Sequence, residues 1–173
     1  AERAEPLLRR EVCEDFDYHA VRALRRQIME AYIDENGVEA KAGLLPMLRE
    51  LKQMGLRIGL ATATPEARAR KYLRMVGAEA AFDAVACAEM VAHGKPAPDV
   101  YLLAAQKLEL PPRVLLGVED SPSGVQSAHA AGMTVAMVPD QDQPSAEIAA
   151  LCALVAPSLA GIAPFVKESL RRL

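Results

Sequence analysis

Short apolar runs alternate with helical segments along most of this chain, and this alternation restricts the possible folds more than any other feature of the sequence. The runs are apolar throughout, which is typical of strands that are buried on both faces. Strands of this kind, separated by helices of about ten residues, form parallel sheets that helices cover on both sides. The sequence therefore predicts an α/β fold with a Rossmann-like parallel sheet and helices on both faces. The predicted strands are Arg57–Thr62, Phe82–Ala88, Val114–Val118, Met133–Val138 and, more weakly, Ala153–Ala156.

The first 38 residues or so are charged and helical in pattern, and they contain no predicted strand. Asp17 is placed to cap a helix that carries Val21, Leu24 and Ile28 on one face and ends at Asn36-Gly37. We therefore expect residues 1–40 to form a helical piece and residues 41–173 to form the α/β core. The helices predicted in the core are Leu44–Met54, Pro65–Val76, Pro98–Leu108, Ser123–Ala131, Ser145–Leu151 and Leu159–Leu170.

Composition excludes several classes of function. The 173 residues are 51% apolar, which is enough for the core of one domain. The net charge is −3 and no block of lysines stands out, so we expect no nucleic-acid partner. No apolar stretch approaches the ~18 residues that a membrane-spanning helix needs. Cys13, Cys87 and Cys152 form no Cys-x-x-Cys pair, which favours reduced thiols in a cytoplasmic protein. The composition does not indicate an oligomeric state.

Side chains suited to chemistry follow three of the predicted strands. Thr62 ends the first strand, Lys95 lies in the loop after the second, and Glu119 and Asp120 directly follow the third. Ligands of open α/β sheets bind at the carboxyl ends of the strands. We therefore expect these four side chains to lie at one edge of the sheet.

The hydroxyl and the ammonium group in this set suit an anion. Thr62 and the backbone N–H of Ala63 precede a predicted helix, and the entrance of a helix binds phosphate well. Lys95 lies between Gly94 and Pro96, in a proline-stiffened loop that fixes the position of its charge. The alternatives are that Thr62 or Thr64 only caps the helix that begins at Pro65 and that Lys95 is an ordinary surface lysine.

The two adjacent carboxylates suit a divalent cation. Glu119 and Asp120 follow an apolar strand, where they would repel each other unless a cation lay between them. Ligands that are all oxygen favour Mg²⁺. The alternative is that Asp120 or Ser121 caps the helix that follows, although such a cap does not explain the second carboxylate.

These residues resemble the motifs of the haloacid dehalogenase-like hydrolase superfamily, in the subgroup of beta-phosphoglucomutase-like phosphatases. Thr62 resembles the Ser/Thr of the second motif, Lys95 the lysine of the third, and Glu119-Asp120 the acidic fourth motif. The resemblance implies phosphoryl transfer through an aspartyl-phosphate, with Thr62 and Lys95 holding the phosphoryl group and Asp120, supported by Glu119, holding Mg²⁺. It also implies that residues 1–40 are part of a helical cap.

The first motif of that family, Asp-x-Asp-Gly after an apolar strand, is absent. The nearest match is Asp15-Phe16-Asp17, which no strand precedes and no glycine follows. In the family this first strand lies between the strands that correspond to Arg57–Thr62 and Val114–Val118, and it carries the nucleophile. The resemblance leads us to expect a longer parent protein that supplies the strand, and negligible turnover by these 173 residues alone.

Three functions agree with this sequence. The first is Mg²⁺-dependent hydrolysis of a small phosphorylated metabolite, and Gly94 before Lys95 resembles the phosphatases of the family more than its mutases. The second is a sugar-phosphate mutase. The third is an inactive fragment or a non-catalytic α/β binding module, which the missing nucleophile favours.

Overall fold

The computed structural model describes residues 4–11, 17–140 and 143–172. It contains two compact units, with the division between Val38 and Glu39. The first unit holds helices α1 (Ala4–Glu11) and α2 (Tyr18–Asn36). No described helix is both long enough and apolar enough to cross a membrane. Cys13 and the Asp15-Phe16 pair, which matter to the predictions above, lie outside the described residues.

Helix α2 begins and ends where the sequence predicts. The Asp17 side chain accepts a hydrogen bond from the backbone N–H of Ala20 at 2.9 Å, which satisfies a donor of the first turn. The apolar stripe of this helix is open to solvent, with Val21, Leu24 and Ile28 exposed by 50%, 57% and 62%. No residue of α2 is buried.

The second unit alternates strands and helices, and every strand pairing among its described residues is parallel. The predicted α/β class is therefore confirmed. The strands are β1 (Gly59–Thr62), β2 (Ala84–Cys87), β3 (Leu116–Glu119), β4 (Thr134–Met137) and β5 (Leu154–Val155). The helices are α3 (Leu44–Gln53), α4 (Glu66–Met75), α5 (Asp99–Lys107), α6 (Pro122–Ala130), α7 (Ala146–Ala150) and α8 (Ile162–Leu170), with short 3₁₀ turns at Glu79–Ala81, Ala88–Met90, Pro112–Val114 and Leu159–Gly161.

The third strand begins and ends later than its apolar run predicts. Val114 belongs to a 3₁₀ turn that Pro112 begins, because the preceding Pro111-Pro112 pair favours a turn over a paired strand. Val114 is consequently exposed. Glu119, which the sequence places after the strand, is instead its last residue and pairs with Met137.

Helices cover the strands on both faces. Along β4, Val135 and Met137 belong to one apolar cluster, while Ala136 and Val138 belong to the other. Successive side chains of a strand point to opposite faces, so the two clusters lie on opposite sides of the sheet layer. The first cluster contains residues of α5 and α6, and the second contains residues of α3 and α8.

The strands form two sheets within this layer, β1–β2 and β3–β4–β5. The β1–β2 register runs from Gly59↔Ala84 to Thr62↔Cys87. The first apolar cluster includes Ala86 of β2 and Val135 of β4, so it packs on both sheets. Helix α5 shows this directly. The Cδ1 atom of Leu108, which follows α5, lies 3.1 Å from the position of a Cβ on Gly59 of β1, and Tyr101 of α5 lies 3.6 Å from that of Gly117 of β3.

Strands β1 and β3 each keep one unpaired edge. The carbonyl of Ile58 accepts a hydrogen bond from Asp83 on the β2 side, so the peptide groups of Gly59 and Ala61 point the other way. The carbonyl of Glu119 accepts from Val138 on the β4 side, so the peptide groups of Val118 point away from β4. No other strand in the described ranges pairs with these two edges. We call them the open edges of β1 and β3.

The side chain of Asp83 stabilises the start of the β1–β2 pair. Its Oδ2 atom accepts a hydrogen bond from the backbone N–H of Ile58 at 2.7 Å, and Lys52 contacts both carboxylate oxygens at 2.9 Å. The bond from Ile58, followed by the interaction with Lys52, lowers the pKa of Asp83. The ionised carboxylate therefore stabilises the fold above its ordinary pKa, and this contribution is lost as the pH falls through the lowered value.

We expect Asp83→Asn to lower the free energy of unfolding by about 1 kcal/mol at pH 7, since a hydrogen bond to a charged acceptor is weakened. The difference from wild type should shrink to zero in strong acid. Urea unfolding at a series of pH values measures both effects. Asp140→Asn is the matched control, because Asp140 also pairs with a lysine, Lys41 at 2.9 Å, but on the exposed surface. An equal loss in both variants would contradict the role of Asp83.

Candidate functional site

Four side chains that the sequence singles out lie at the carboxyl ends of two strands. Thr62 is the last residue of β1 and Glu119 is the last residue of β3, with Asp120 directly after it. Lys95 comes from the loop between β2 and α5. Thr62 and Glu119 therefore end strands of the two different sheets, at the kind of position where ligands of open α/β sheets bind.

Lys95 connects the ends of β1 and β3. Its Nζ atom donates a hydrogen bond to the carbonyl oxygen of Ala61 at 3.1 Å and a second one to Oε1 of Glu119. The Lys95 side chain is 17% exposed and that of Glu119 is 6% exposed, so the ion pair is largely withdrawn from water. The sequence suggests different ligands for these two residues and does not predict their contact.

Glu119 is buried, and both of its carboxylate oxygens are hydrogen-bonded. Oε1 accepts from Lys95 and from the hydroxyl of Tyr101 at 2.5 Å. Oε2 accepts from the backbone N–H of Asp120 at 3.3 Å and from the hydroxyl of Ser121 at 3.4 Å. A buried carboxylate is tolerated when charge and hydrogen bonds compensate it in this way.

Two residues outside the predicted set of site residues make this arrangement possible. Tyr101 lies on α5 with its hydroxyl against Glu119. Burial, and then the negative charge of Glu119, raise the pKa of Tyr101 far above its ordinary value, so that the hydroxyl stays a donor. Gly124 of α6 leaves room for the carboxylate, because a Cβ atom at this position would lie 1.9 Å from Oε2 of Glu119. Both follow predicted motif residues closely, but their contacts depend on tertiary packing.

Thr62 shapes the turn into α4. Its Oγ1 atom accepts a hydrogen bond from the backbone N–H of Thr64 at 3.1 Å, which is a local Ser/Thr turn. The backbone N–H of Glu66, the first residue of α4, donates to the carboxylate of Glu89 at 2.9 Å. One N–H donor at the entrance of α4 is therefore already bonded to a carboxylate of the protein itself. The sequence does not predict this contact of Glu89. Ala63, between these groups, is exposed.

Asp120 presents the exposed carboxylate of the acidic pair. The N-cap of α6 is Ser121, whose hydroxyl accepts from the backbone N–H of Gly124 at 3.2 Å. Of the two capping alternatives, the structure therefore realises the one at Ser121 and leaves the Asp120 side chain available.

The described residues supply only part of a metal site. They contain no group of three or more His, Cys, Asp or Glu side chains that could hold a metal ion. Asp120 offers an exposed oxygen ligand of the kind that Mg²⁺ prefers. Glu119 is buried and hydrogen-bonded to Lys95 and Tyr101. It therefore suits a supporting position next to Asp120 better than direct contact with the ion.

Comparison with known proteins agrees with these motifs. The sequence model of the haloacid dehalogenase-like hydrolase family matches residues 3–132. The chain belongs to this family. The match covers both the N-terminal helices and the segments that contain Thr62, Lys95, Glu119 and Asp120. The family predicted from the sequence is therefore confirmed.

Two curated relatives are similar to this chain over part of their length. The CbbY protein of Rhodobacter capsulatus is 42% identical over 108 residues, which are 58% of this chain and 48% of that protein. Hexitol phosphatase B of Escherichia coli strain K12 is 38% identical over 121 residues, which are 66% of this chain and 54% of that protein. The chain thus spans about half the length of the curated relatives that it matches.

A solved structure shares the fold. A crystal structure of a CbbY mutant from Rhodobacter sphaeroides, in complex with xylulose 1,5-bisphosphate, superimposes with a TM-score of 0.67 at 29% identity. The likeness covers 75% of this chain and 59% of that one. Most of this chain therefore has the same fold as that protein.

Proposed function

We propose that this chain is part of a phosphatase that hydrolyses a small phosphorylated metabolite of the sugar-phosphate type. The observation that carries the proposal is the position of Lys95. Its ammonium group is held between the carboxyl ends of β1 and β3 by Ala61 and Glu119. A fixed positive charge at this edge of a parallel sheet is suited to an anionic substrate.

In this proposal, Lys95, Thr62 and Ala63 bind the phosphoryl group that is transferred. Lys95 neutralises charge on its oxygens, while the Thr62 hydroxyl and the Ala63 N–H donate hydrogen bonds from the turn into α4. Positioning and charge neutralisation provide most of the catalysis in phosphoryl transfer. The Glu66 N–H is already bonded to Glu89, so we do not assign it to the substrate.

Asp120 is the residue that we propose for Mg²⁺, with Glu119 behind it. When bound, the ion would neutralise negative charge on the phosphoryl group. Glu119 would hold Lys95 and the backbone of Asp120 in place through the hydrogen bonds that its buried carboxylate accepts from them. Because the described residues provide only this acidic pair, the remaining ligands would come from water, the substrate or further protein residues.

The nucleophile in this proposal is an aspartate that the chain does not contain. Its carboxylate would attack phosphorus and the bond from phosphorus to the sugar oxygen would break. The second aspartate of the same missing motif would give its proton to the leaving sugar oxygen and would then accept one from the water that attacks the aspartyl-phosphate. Water would then hydrolyse the aspartyl-phosphate and release inorganic phosphate. We propose that this aspartate is carried by a strand of a longer parent protein, placed between the open edges of β1 and β3.

Residues 1–40 would form part of a helical cap in that protein. The exposed apolar stripe of α2, at Val21, Leu24 and Ile28, supports this proposal because such a stripe is ordinarily covered by further helices. The names of the relatives support the substrate class. One is a hexitol phosphatase, and a CbbY structure holds a sugar bisphosphate.

Asp120→Asn in the longer protein is expected to reduce Mg²⁺-dependent hydrolysis of an aryl phosphate or a hexose phosphate by roughly 10–100-fold, as for other changes around a metal site. Raising the Mg²⁺ concentration should recover part of the rate. Phosphate release with and without Mg²⁺ measures this. Asp140→Asn, at an exposed surface pair, is the control.

Unchanged rates in Asp120→Asn would contradict the assignment of the metal ligand. The 173 residues alone should show negligible turnover, and robust Mg²⁺-dependent hydrolysis by them would contradict the missing nucleophile. A longer protein without any such hydrolysis would favour a non-catalytic binding module. Accumulation of an isomeric sugar phosphate in place of free phosphate would favour a mutase.

A further inference from the structure

Tyr101 has a contact that the proposed chemistry does not use. It lies in the middle of α5 and is 6% exposed. Its hydroxyl donates to Oε1 of Glu119 at 2.5 Å, the same oxygen that Lys95 contacts. The Lys95 ammonium also lies 5.1 Å from the centroid of the Tyr101 ring. One aromatic side chain therefore contacts both members of the buried ion pair.

The carboxylate of Glu119 has little freedom in this arrangement. Gly124 packs against one side of the carboxylate, so closely that a Cβ atom at residue 124 would overlap its oxygens. Its Oε2 atom is directed to Asp120 and Ser121, through bonds of 3.3 and 3.4 Å. The hydroxyl of Tyr101, fixed by the packing of α5 on Gly117, determines where the other oxygen lies. The position of Oε1 in turn determines where the ammonium of Lys95 is held.

We propose that Tyr101 is a positioning residue, whose hydroxyl fixes the Glu119 carboxylate and through it holds the Lys95 ammonium against Ala61 at the ends of β1 and β3. Only the effect of Tyr101 on catalysis rests on the proposed function, in which Lys95 binds phosphate. The positioning itself is a property of the 173 residues and is testable without turnover.

Without the Tyr101 hydroxyl, Oε1 of Glu119 keeps Lys95 as its only donor from the described side chains. The carboxylate is then free to rotate toward Asp120 and Ser121, and the Lys95 ammonium leaves the Ala61 carbonyl more often. A lysine that leaves its partners more often reacts faster with an external reagent. The rate of acylation of Lys95 therefore reports directly on its positioning.

The chain offers a matched pair of tyrosines for the experiment. Tyr101→Phe removes a buried hydroxyl that bonds to Glu119, while Tyr72→Phe removes a buried hydroxyl without a hydrogen-bond partner in the described part of the chain. Lys107 is an internal reference, because its Nζ atom donates to the carbonyl of Val85 in β2 at 2.7 Å and not to Glu119. Peptide mass spectrometry follows acetylation of both lysines by a small amine-reactive ester.

We expect the ratio of Lys95 to Lys107 acetylation to rise about threefold or more in Tyr101→Phe, because a charge-assisted hydrogen bond is lost, and to stay at the wild-type value in Tyr72→Phe. In a double-mutant cycle, Tyr101→Phe should have no further effect when Glu119→Gln is already present, since it acts through Glu119. An unchanged or lowered ratio in Tyr101→Phe, or additive effects in the cycle, would overturn the proposal.

The kinetic consequence separates this inference from the proposed function. In the longer protein, Tyr101→Phe should lower kcat while leaving KM for the phosphate ester near its wild-type value, because substrate binding has further contacts. A shift in acetylation without any hydrolysis in the wild type would keep the positioning role and refute the phosphatase. Hydrolysis with equal kcat in Tyr101→Phe and wild type would refute the positioning role alone.

Discussion

Lys95→Met is expected to lower the free energy of unfolding of the 173 residues by about 3–5 kcal/mol, the usual cost of removing one partner from a buried ion pair. The Glu119 side chain is 6% exposed, so its carboxylate would stay in the interior without the cation that balances it. Urea unfolding, followed by circular dichroism, measures the loss.

Two further variants separate this effect from a general effect of losing a lysine. Glu119→Gln added to Lys95→Met removes the uncompensated charge and should recover most of the lost stability. Lys41→Met breaks the exposed pair with Asp140, in which the side chains are 41% and 56% exposed, and should cost less than about 1 kcal/mol. If Lys95→Met were no more destabilising than Lys41→Met, the pairing with Glu119 would not matter for the fold.

Gly124→Ala is the second change with a large expected effect. The added Cβ would lie 1.9 Å from Oε2 and 2.5 Å from Oε1 of Glu119, far inside van der Waals contact. The carboxylate cannot move aside without giving up Lys95 and Tyr101. We expect a loss of about 3 kcal/mol or more, at the upper end of what overpacking a buried site costs.

Gly94→Ala is the control for this change, because its added Cβ would meet no heavy atom within 4 Å. It should change stability by less than about 0.5 kcal/mol, as for other surface substitutions. The double variant Gly124→Ala with Glu119→Ala should recover part of the loss by opening the space again. Equal stability of Gly124→Ala and wild type would show that the carboxylate does not occupy this position.

The elements of the fold follow from local patterns, and these were predictable. Strands such as Ala84–Cys87 lie inside apolar runs, and α2 begins at the Asp17 cap and ends before Gly37. The ends of the strands were less predictable. Val114 is apolar like the strand after it, but Pro111-Pro112 holds it in a turn. The apolar run alone does not show where the turn ends and the strand begins.

The pairing of the strands could not be derived from local patterns. Nothing in the run Val114–Val118 says that it pairs with Thr134–Met137 on one side only, because pairing depends on contacts between distant segments. The expectation of a further strand between β1 and β3 came from the family resemblance. The open edges agree with it, and the strand itself stays a prediction.

The positions of the site residues were predictable, whereas their contacts were not. The order of strands and motifs places Thr62, Lys95 and Asp120 at one edge. The contact of Lys95 with Glu119 required the two strand ends to be neighbours in space. The part played by Tyr101 required the packing of α5 on β3, which no local pattern in the sequence encodes.

The central claim is that Lys95 provides the charge for phosphoryl transfer at the ends of β1 and β3. The stability-restored variant Lys95→Met/Glu119→Gln tests it most directly, with Glu119→Gln alone as the reference, in Mg²⁺-dependent phosphate release by the longer protein. We predict that the double variant folds and that its rate falls at least about 100-fold below that of the reference, since electrostatic groups contribute on this scale. A folded double variant that releases phosphate as fast as Glu119→Gln alone would contradict the claim.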